Sequence, residues 1–201
     1  MIRVTLGVMS TVAIILAADA TPEFSGPKYL ALVQGKSLLQ HVVDDAAEWP
    51  VDDVIVALGS DADELVDAID FGKCTVVIDP EWAEGSASPL RAALDLASRD
   101  RTTRRCVVAR GDQPGIDGST VGALIDMASD TSADAVLPKY RYAVGWPIVL
   151  DHSIWEHLLG GEGSVDVHDV VASHARVVEE VWYDRLSPTT YDRPDDLPSI
   201  R

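Results

Sequence analysis

The chain is poor in cysteine and in basic residues. Its 201 residues include only two cysteines, Cys74 and Cys106, which cannot build a disulfide framework and lack metal-ligand spacing. Lysine and arginine together number 16 against 33 acidic residues, which gives a formal net charge of −17. Because such a field repels phosphate backbones and anionic lipid, we expect neither nucleic acid nor a membrane surface as a partner. Hydrophobic residues make up 47%, which excludes a disordered chain.

The first twenty residues, MIRVTLGVMSTVAIILAADA, permit two interpretations. One basic residue, an apolar stretch and the ending Ala18-Asp19-Ala20 resemble a secretory signal with its cleavage site. The alternative is a buried parallel strand over Val12–Ala17, because its β-branched and aliphatic residues suit burial on both faces. The stretch is too short and too interrupted by polar residues to predict a transmembrane span. These residues alone leave both interpretations open.

Apolar runs alternate along the chain with segments of helical periodicity. The runs that predict strands are 12–17, 54–58, 75–78 and 106–109, then the shorter 135–137 and 147–150, and a last strand at 175–182. Helical segments follow the first four runs, and the third helix is predicted to have Ser88 as its N-cap before Pro89. Strand–helix alternation predicts a mostly parallel sheet with helices on both faces and a mixed edge. With no repeat or linker in the sequence, we predict a single α/β domain over residues 1–201.

Polar residues follow the predicted strands, at the sheet edge where open α/β sheets bind ligands. The loop after the first strand ends at Lys28, the loop after the third contains Ser86–Ser88, and the loop after the fourth contains Asp112. A serine-rich helix N-terminus favours a phosphate, and a carboxylate facing a phosphate favours a Mg²⁺ ion between them. These residues indicate a metal-dependent phosphate-ester enzyme. The alternative, equally open at this point, is that Asp112 only caps a turn before Pro114.

Segments spread over nearly the whole chain resemble the motifs of one family in order and spacing. They are LAAD…GPKYL at 16–30, VIDPEWAEGSASPLRAALD at 77–95, GDQP at 111–114, KYRYAVGWPIVL at 139–150, LLGGEGS at 158–164 and YDRPDDL at 191–197. The family is that of the molybdenum-cofactor nucleotidyltransferase-like (MobA-like) NTP transferases. Within it, the Leu-Ala-Ala opening and the Asp-Gln-Pro segment resemble most the cytidylyltransferases that use CTP and molybdopterin. The resemblance implies a Rossmann-like three-layer α/β/α fold, favours the strand at 12–17, and implies a cytoplasmic protein.

The resemblance also implies roles for individual residues. Lys28 and Asp112 would be catalytic, with Lys28 binding the triphosphate, and Asp112 and Asp192 would hold Mg²⁺. The nucleotide, expected to be CTP, would meet a set of residues in the first and third loops: Leu16, Ala17, Ala18, Asp19, Gly85, Ser86 and Ser88. Gly145, Trp146 and Pro147 would face the second substrate, a phosphorylated small molecule such as molybdopterin. A molybdoenzyme or another maturation protein is a further partner that the resemblance allows.

The loop after the first strand departs from the family pattern. Counted without a gap from Asp19 to Lys28, the family's Gly, Arg, Met and Gly correspond to Asp19, Glu23, Phe24 and Ser25. Replacing a positive by a negative charge about 5 Å from a phosphate costs roughly 6 kcal/mol before screening, at an effective dielectric of about 20.

Three functional hypotheses follow from this departure. An active nucleotidyltransferase in which Arg91 or a second cation replaces the lost arginine is favoured, because Lys28, Asp112 and Asp192 are all present. A non-catalytic relative that binds a nucleotide or a partner protein is the alternative. A glycosyltransferase that uses sugar nucleotides is disfavoured, since no Asp-x-Asp follows a central strand.

Overall fold

The computed structural model describes residues 9–82, 87–160 and 166–198. Its strands are β1 (Ser10–Ala17), β2 (Leu32–Val33), β3 (Lys36–Ser37), β4 (Asp53–Leu58), β5 (Thr75–Ile78), β6 (Thr103–Arg110), β7 (Ala135–Tyr140), β8 (Ala143–Val144), β9 (Ile148–Asp151) and β10 (Val178–Tyr183). Its α-helices are α1 (Leu38–Ala47), α2 (Ala62–Ala68), α3 (Ala87–Ala97), α4 (Gly118–Thr131), α5 (Trp155–Leu159) and α6 (Val167–His174). Short 3₁₀ turns lie at Lys28–Leu30, His152–Ile154 and Pro194–Asp196.

The large sheet is mostly parallel, and its strand order is β10-β7-β9-β6-β1-β4-β5. Strand β1 lies in the middle, parallel to β4 on one side and to β6 on the other. Strand β9 runs antiparallel to both β6 and β7, and β8 pairs antiparallel with β7. The predicted fold class, a mostly parallel sheet with a mixed edge, is confirmed. Val12–Ala17 belongs to a central strand, so the strand interpretation of this segment is confirmed as well.

Helices cover both faces of the sheet, because alternate residues of the central strands point to opposite sides. Ala13 and Ile15 of β1 pack in one core cluster, which is completed by side chains of α1, α2 and α4. Val12 and Ile14 pack in the other, against side chains of α3, α5 and α6. Each fully buried aliphatic side chain contributes about 1.5–3 kcal/mol, so the two clusters together hold the central strands rigidly. This rigidity matters because the loops beyond β1 and β6 form the candidate site.

Some local predictions differ from the structure. Ser88 lies inside α3, which begins at Ala87, so the prediction that Ser88 caps this helix is wrong. The last strand begins at Val178 rather than at residue 175, because Arg176 and Val177 donate backbone hydrogen bonds to the Asp134 side chain. The two-residue strands β2, β3 and β8 are too short to give a periodic pattern. Among residues 9–82, 87–160 and 166–198, none of the helices has the length and hydropathy of a membrane-spanning segment.

Candidate active site

The loops after β1 and β6 are held side by side by a close approach of their backbones. The Gly111 amide donates to the carbonyl oxygen of Leu16 at 2.8 Å. A Cβ atom on Gly111 would lie 2.9 Å from the Cβ of Ala17, so this position requires glycine. The contact brings Asp112, the next residue along the chain, beside the Leu16–Ala18 backbone.

Lys28 reaches the same point from the far end of the first loop. A 3₁₀ turn carries it, and the turn is anchored by the fully buried Tyr29, whose hydroxyl accepts a hydrogen bond from the Asp19 amide at 3.4 Å. The Lys28 side chain is 4% exposed, and its Nζ forms an ion pair with Oδ2 of Asp112. Such depth favours an ion pair over a solvated lysine, because a buried ammonium needs a partner.

Asp192 reaches the site from the segment after β10, residues 184–198, which we call the C-terminal segment. The Tyr191 amide donates to the carbonyl oxygen of Asp112 at 3.1 Å, and the Gln113 side-chain amide donates to the carbonyl oxygen of Pro188 at 2.9 Å. These bonds fix the segment across the end of β6. Oδ1 of Asp192 consequently lies 3.8 Å from Nζ of Lys28. The three residues expected to converge, Lys28, Asp112 and Asp192, do so.

Arg110, the last residue of β6, is a fourth charged residue of this cluster. Its Nε donates to Oδ1 of Asp112 at 2.9 Å, and its Nη2 donates to Oδ2 of Asp112 at 2.9 Å. The same Nη2 donates to Oδ1 of Asp192 at 2.6 Å. Sequence reasoning assigned Arg110 no role. The available signal was its position two residues before Asp112, because residues i and i+2 of extended backbone face the same side.

The charges in this cluster shift the pKa values of its members. Burial by itself would raise the pKa of Asp112, but the hydrogen bonds and charges of Arg110 and Lys28 outweigh it and lower that pKa. The hydrogen bond to Asp112 in turn raises the pKa of Arg110. Asp112 is therefore a carboxylate, and Arg110 a cation, throughout the physiological pH range.

A cleft of about 190 Å³ opens beside the cluster. Arg110 and Asp112 line it together with residues from four further segments: Leu16, Ala18, Asp19, Tyr29, Pro89, Leu90, Trp146, Asp166 and Val167. The first loop, the start of α3 and the start of α6 therefore meet around one concave surface at the carboxyl ends of the strands, where ligands bind in such sheets.

The remaining predicted residues differ in their relation to the cleft. Trp146 lines it, with its carbonyl oxygen accepting from the Tyr140 hydroxyl at 2.9 Å and its ring edge-on to His168. Gly145 packs against the Tyr140 ring instead, and Pro147 is buried before β9. Ala17 and Ser88 are buried and do not line this cleft. Gly85 and Ser86 lie outside the described residues.

The donor atoms of the cluster suit a divalent cation. Asp112 and Asp192 offer carboxylate oxygens that both lie within 2.9 Å of the single nitrogen Nη2 of Arg110, so one cation can satisfy both. Hard oxygen donors of this kind favour Mg²⁺ or Mn²⁺. Within the described ranges, no group of three or more His, Cys, Asp or Glu residues has metal-binding geometry. A metal here would therefore take its remaining ligands from substrate phosphates and water, as Mg²⁺ usually does in phosphoryl-transfer sites.

The fold is that of a Rossmann-like nucleotidyltransferase domain. The profile of the MobA-like NTP transferase domain matches residues 13–177. The chain belongs to this family. The family resemblance predicted from the sequence is thereby confirmed.

Individual proteins are similar to this chain as well. The chain is 31% identical over 131 residues to the bifunctional protein GlmU of Lactococcus lactis subsp. cremoris; the match covers 64% of this chain and only 28% of that protein. The crystal structure of a Mycobacterium tuberculosis Rv0371c homolog from Mycobacterium sp. strain JC1 superposes with a TM-score of 0.83 at 28% identity, covering 92% of each chain. Rv0371c of M. tuberculosis H37Rv in complex with manganese gives a TM-score of 0.79 at 24% identity, covering 93% of this chain and 95% of that one.

Proposed function

We propose that the chain transfers a nucleoside monophosphate, CMP, from CTP to a phosphorylated small-molecule acceptor such as molybdopterin, with Mg²⁺ as the metal. The observation that carries this proposal is the convergence of Lys28, Arg110, Asp112 and Asp192 at one end of a cleft. Two cations and two carboxylates at a single point are suited to a polyphosphate and a divalent ion.

The reaction balances without a proton donor or acceptor. An oxygen of the acceptor's phosphate attacks the α-phosphorus of the nucleotide, the bond from that phosphorus to the bridging oxygen breaks, and pyrophosphate leaves. Positioning and charge neutralisation supply nearly all of the catalysis in such transfers. The protein therefore needs fixed charges more than a general base.

Each element of the site has a task in this reaction. Lys28, held by burial against Asp112 beside the cleft, would supply a fixed positive charge close to the phosphoryl oxygens. The apolar side chains of Leu16, Leu90 and Trp146 line the cleft and exclude water from the reacting groups. Asp112 and Asp192 would hold Mg²⁺, which when bound neutralises charge on the phosphoryl oxygens and orients them.

A thermal-shift series tests nucleotide binding. Each of the four nucleoside triphosphates is added with Mg²⁺ or Mn²⁺, and ligand at about 100 times its Kd stabilises the folded chain by about 2.7 kcal/mol. We expect CTP to raise Tm most, and Asp112→Asn to abolish the rise. Asp130→Asn, which removes an exposed charge from α4, is the matched control and keeps the rise.

Pyrophosphate release with CTP and molybdopterin then tests transfer. Release that requires both substrates and the metal supports the proposal. A Tm shift without release from any acceptor supports a second function, nucleotide binding without transfer. Glu23, which corresponds to an arginine of the family pattern, favours that alternative, because the positive charge that would stabilise the triphosphate during transfer is missing.

A further inference from the structure

Arg110 combines a central position with an incomplete set of partners. Its Nε and Nη2 are engaged by the two carboxylates, whereas no hydrogen bond from Nη1 is found within the described part of the chain. Its side chain is 31% exposed, while that of Lys28 is only 4% exposed. Its partial exposure therefore leaves room for the Arg110 side chain to rotate once its bonds to the carboxylates are broken, whereas the Lys28 side chain is enclosed by the packing around it.

The described lining of the cleft contains more acidic than basic side chains, so the position of its arginine matters for binding a polyphosphate. Arg110 is the cationic side chain in that lining, which also contains Asp19, Asp112 and Asp166. With Arg110 held by Asp112, the described lining offers a polyphosphate more negative than positive charge. A polyphosphate at this wall needs the guanidinium, because a planar fork of N–H donors matches phosphoryl oxygens.

Arg110 also stands where a shared metal ion would bind. Its Nη2 lies 2.9 Å from Oδ2 of Asp112 and 2.6 Å from Oδ1 of Asp192. Arg110 donates to both oxygens of Asp112, so a divalent ion bound to both carboxylates would share at least one oxygen with the guanidinium; Nζ of Lys28 also pairs with Oδ2 of Asp112, but this side chain is buried in place. The ion and the guanidinium consequently compete for one position.

We propose that Arg110 is exchanged between two partners: it neutralises the Asp112–Asp192 pair until a divalent ion takes its place, and it then binds the β- and γ-phosphates of the nucleotide. This inference rests on the proposed function, since it assumes a nucleoside triphosphate and a divalent ion. It assigns to Arg110 the role of a triphosphate-binding residue, and it couples metal binding to phosphate binding through one side chain.

The exchange predicts effects of opposite sign for a single substitution. In Arg110→Gln the carboxylate pair keeps Lys28 but loses the one of its two cations that competes with the metal by our proposal, so Mn²⁺ alone should bind about tenfold more tightly. The same variant lacks the phosphate ligand, so pyrophosphate in the presence of Mg²⁺ should bind at least about tenfold more weakly. CMP, which has no β- or γ-phosphate, should keep its affinity within about threefold.

Titration calorimetry of the full chain measures all three affinities, and circular dichroism confirms that each variant is folded. Arg104→Gln, an exposed position on the same strand, removes the same charge and should leave all three unchanged. Arg110→Lys keeps the charge, so Mn²⁺ affinity should stay near wild type and pyrophosphate affinity should fall less than in Arg110→Gln.

Two results would overturn the inference. Equal or weaker Mn²⁺ binding in Arg110→Gln would mean that Arg110 holds the carboxylates in place for the metal instead of competing with it. Unchanged pyrophosphate binding would mean that Arg110 never contacts the polyphosphate. Failure of the proposed function looks different: the folded wild-type chain would then bind neither Mn²⁺ nor pyrophosphate, or Asp112→Asn would bind Mn²⁺ as well as wild type.

Discussion

The buried ion pair between Lys28 and Asp112 gives a quantitative prediction about stability. Both side chains are nearly inaccessible, at 4% and 2% exposure. Their surroundings are unequal, because Asp112 also receives two hydrogen bonds from Arg110, whereas the second acidic partner of Lys28 among the described residues is Asp192 at 3.8 Å. Removing the Lys28 charge should therefore cost less stability than removing the Asp112 charge.

The magnitudes follow from what each substitution leaves behind. Breaking a buried ion pair from one side costs about 3–5 kcal/mol when the remaining charge has no other partner. In Lys28→Met, Asp112 keeps both bonds from Arg110, so we expect a loss of about 1–2 kcal/mol. In Asp112→Asn, Lys28 stays buried with only a distant partner, so we expect a loss of about 3 kcal/mol. The double variant removes the uncompensated charge, and its loss should fall about 2 kcal/mol short of the sum of the single losses.

Urea unfolding followed by circular dichroism at pH 7 measures the free energy of unfolding of the four proteins. A larger loss of stability for Lys28→Met than for Asp112→Asn would refute the argument that Arg110 compensates the charge of Asp112. If the two single losses added up to that of the double variant within about 0.5 kcal/mol, Lys28 and Asp112 would not interact.

Three further predictions concern the surrounding structure. The Ser119 hydroxyl and the backbone of α4 lower the pKa of Asp117 from 3.8 to about 2. Asp117→Asn should therefore cost about 1 kcal/mol at pH 7, and the difference from wild type should vanish as the pH falls from about 4 to 2 in acid titrations of stability. Gly111→Ala would place a Cβ atom 2.9 Å from the Cβ of Ala17. We expect this variant to lose about 1–3 kcal/mol of the free energy of unfolding, measured in urea, and to bind the nucleotide more weakly. The Asp134 carboxylate accepts hydrogen bonds from two backbone amides just before β10, so Asp134→Ala should lower the free energy of unfolding by about 2–3 kcal/mol. The nucleotide-induced Tm shift should persist in this variant, and its loss would contradict a purely structural role for Asp134.

The fold could be predicted from the sequence largely because its strong signals are local. Apolar runs such as Val54–Leu58 are buried on both faces of a parallel sheet, so their composition identifies them as strands without any knowledge of their neighbours. The polar loops that end at Lys28 and Asp112 could be assigned to one sheet edge for the same reason, since parallel strands end together. The prediction at Ser88 is wrong because the helix already includes Ala87, and a local pattern defines the ends of a helix less well than its interior.

The sequence by itself therefore determined the layered α/β architecture, and it predicted the edge at which the candidate site lies and three of its charged residues, Asp192 only through the family resemblance. The tertiary structure decided how those charges are paired. Arg110 is 82 residues from Asp192 in the chain, and no local pattern reports that one nitrogen of Arg110 contacts both Asp112 and Asp192. That contact depends on the C-terminal segment crossing the end of β6, and its hydrogen bonds to Asp112 and Gln113 exist only once the sheet has formed. Electrostatic energies at a site depend on distances of a few ångströms and on burial, and only the folded chain sets both.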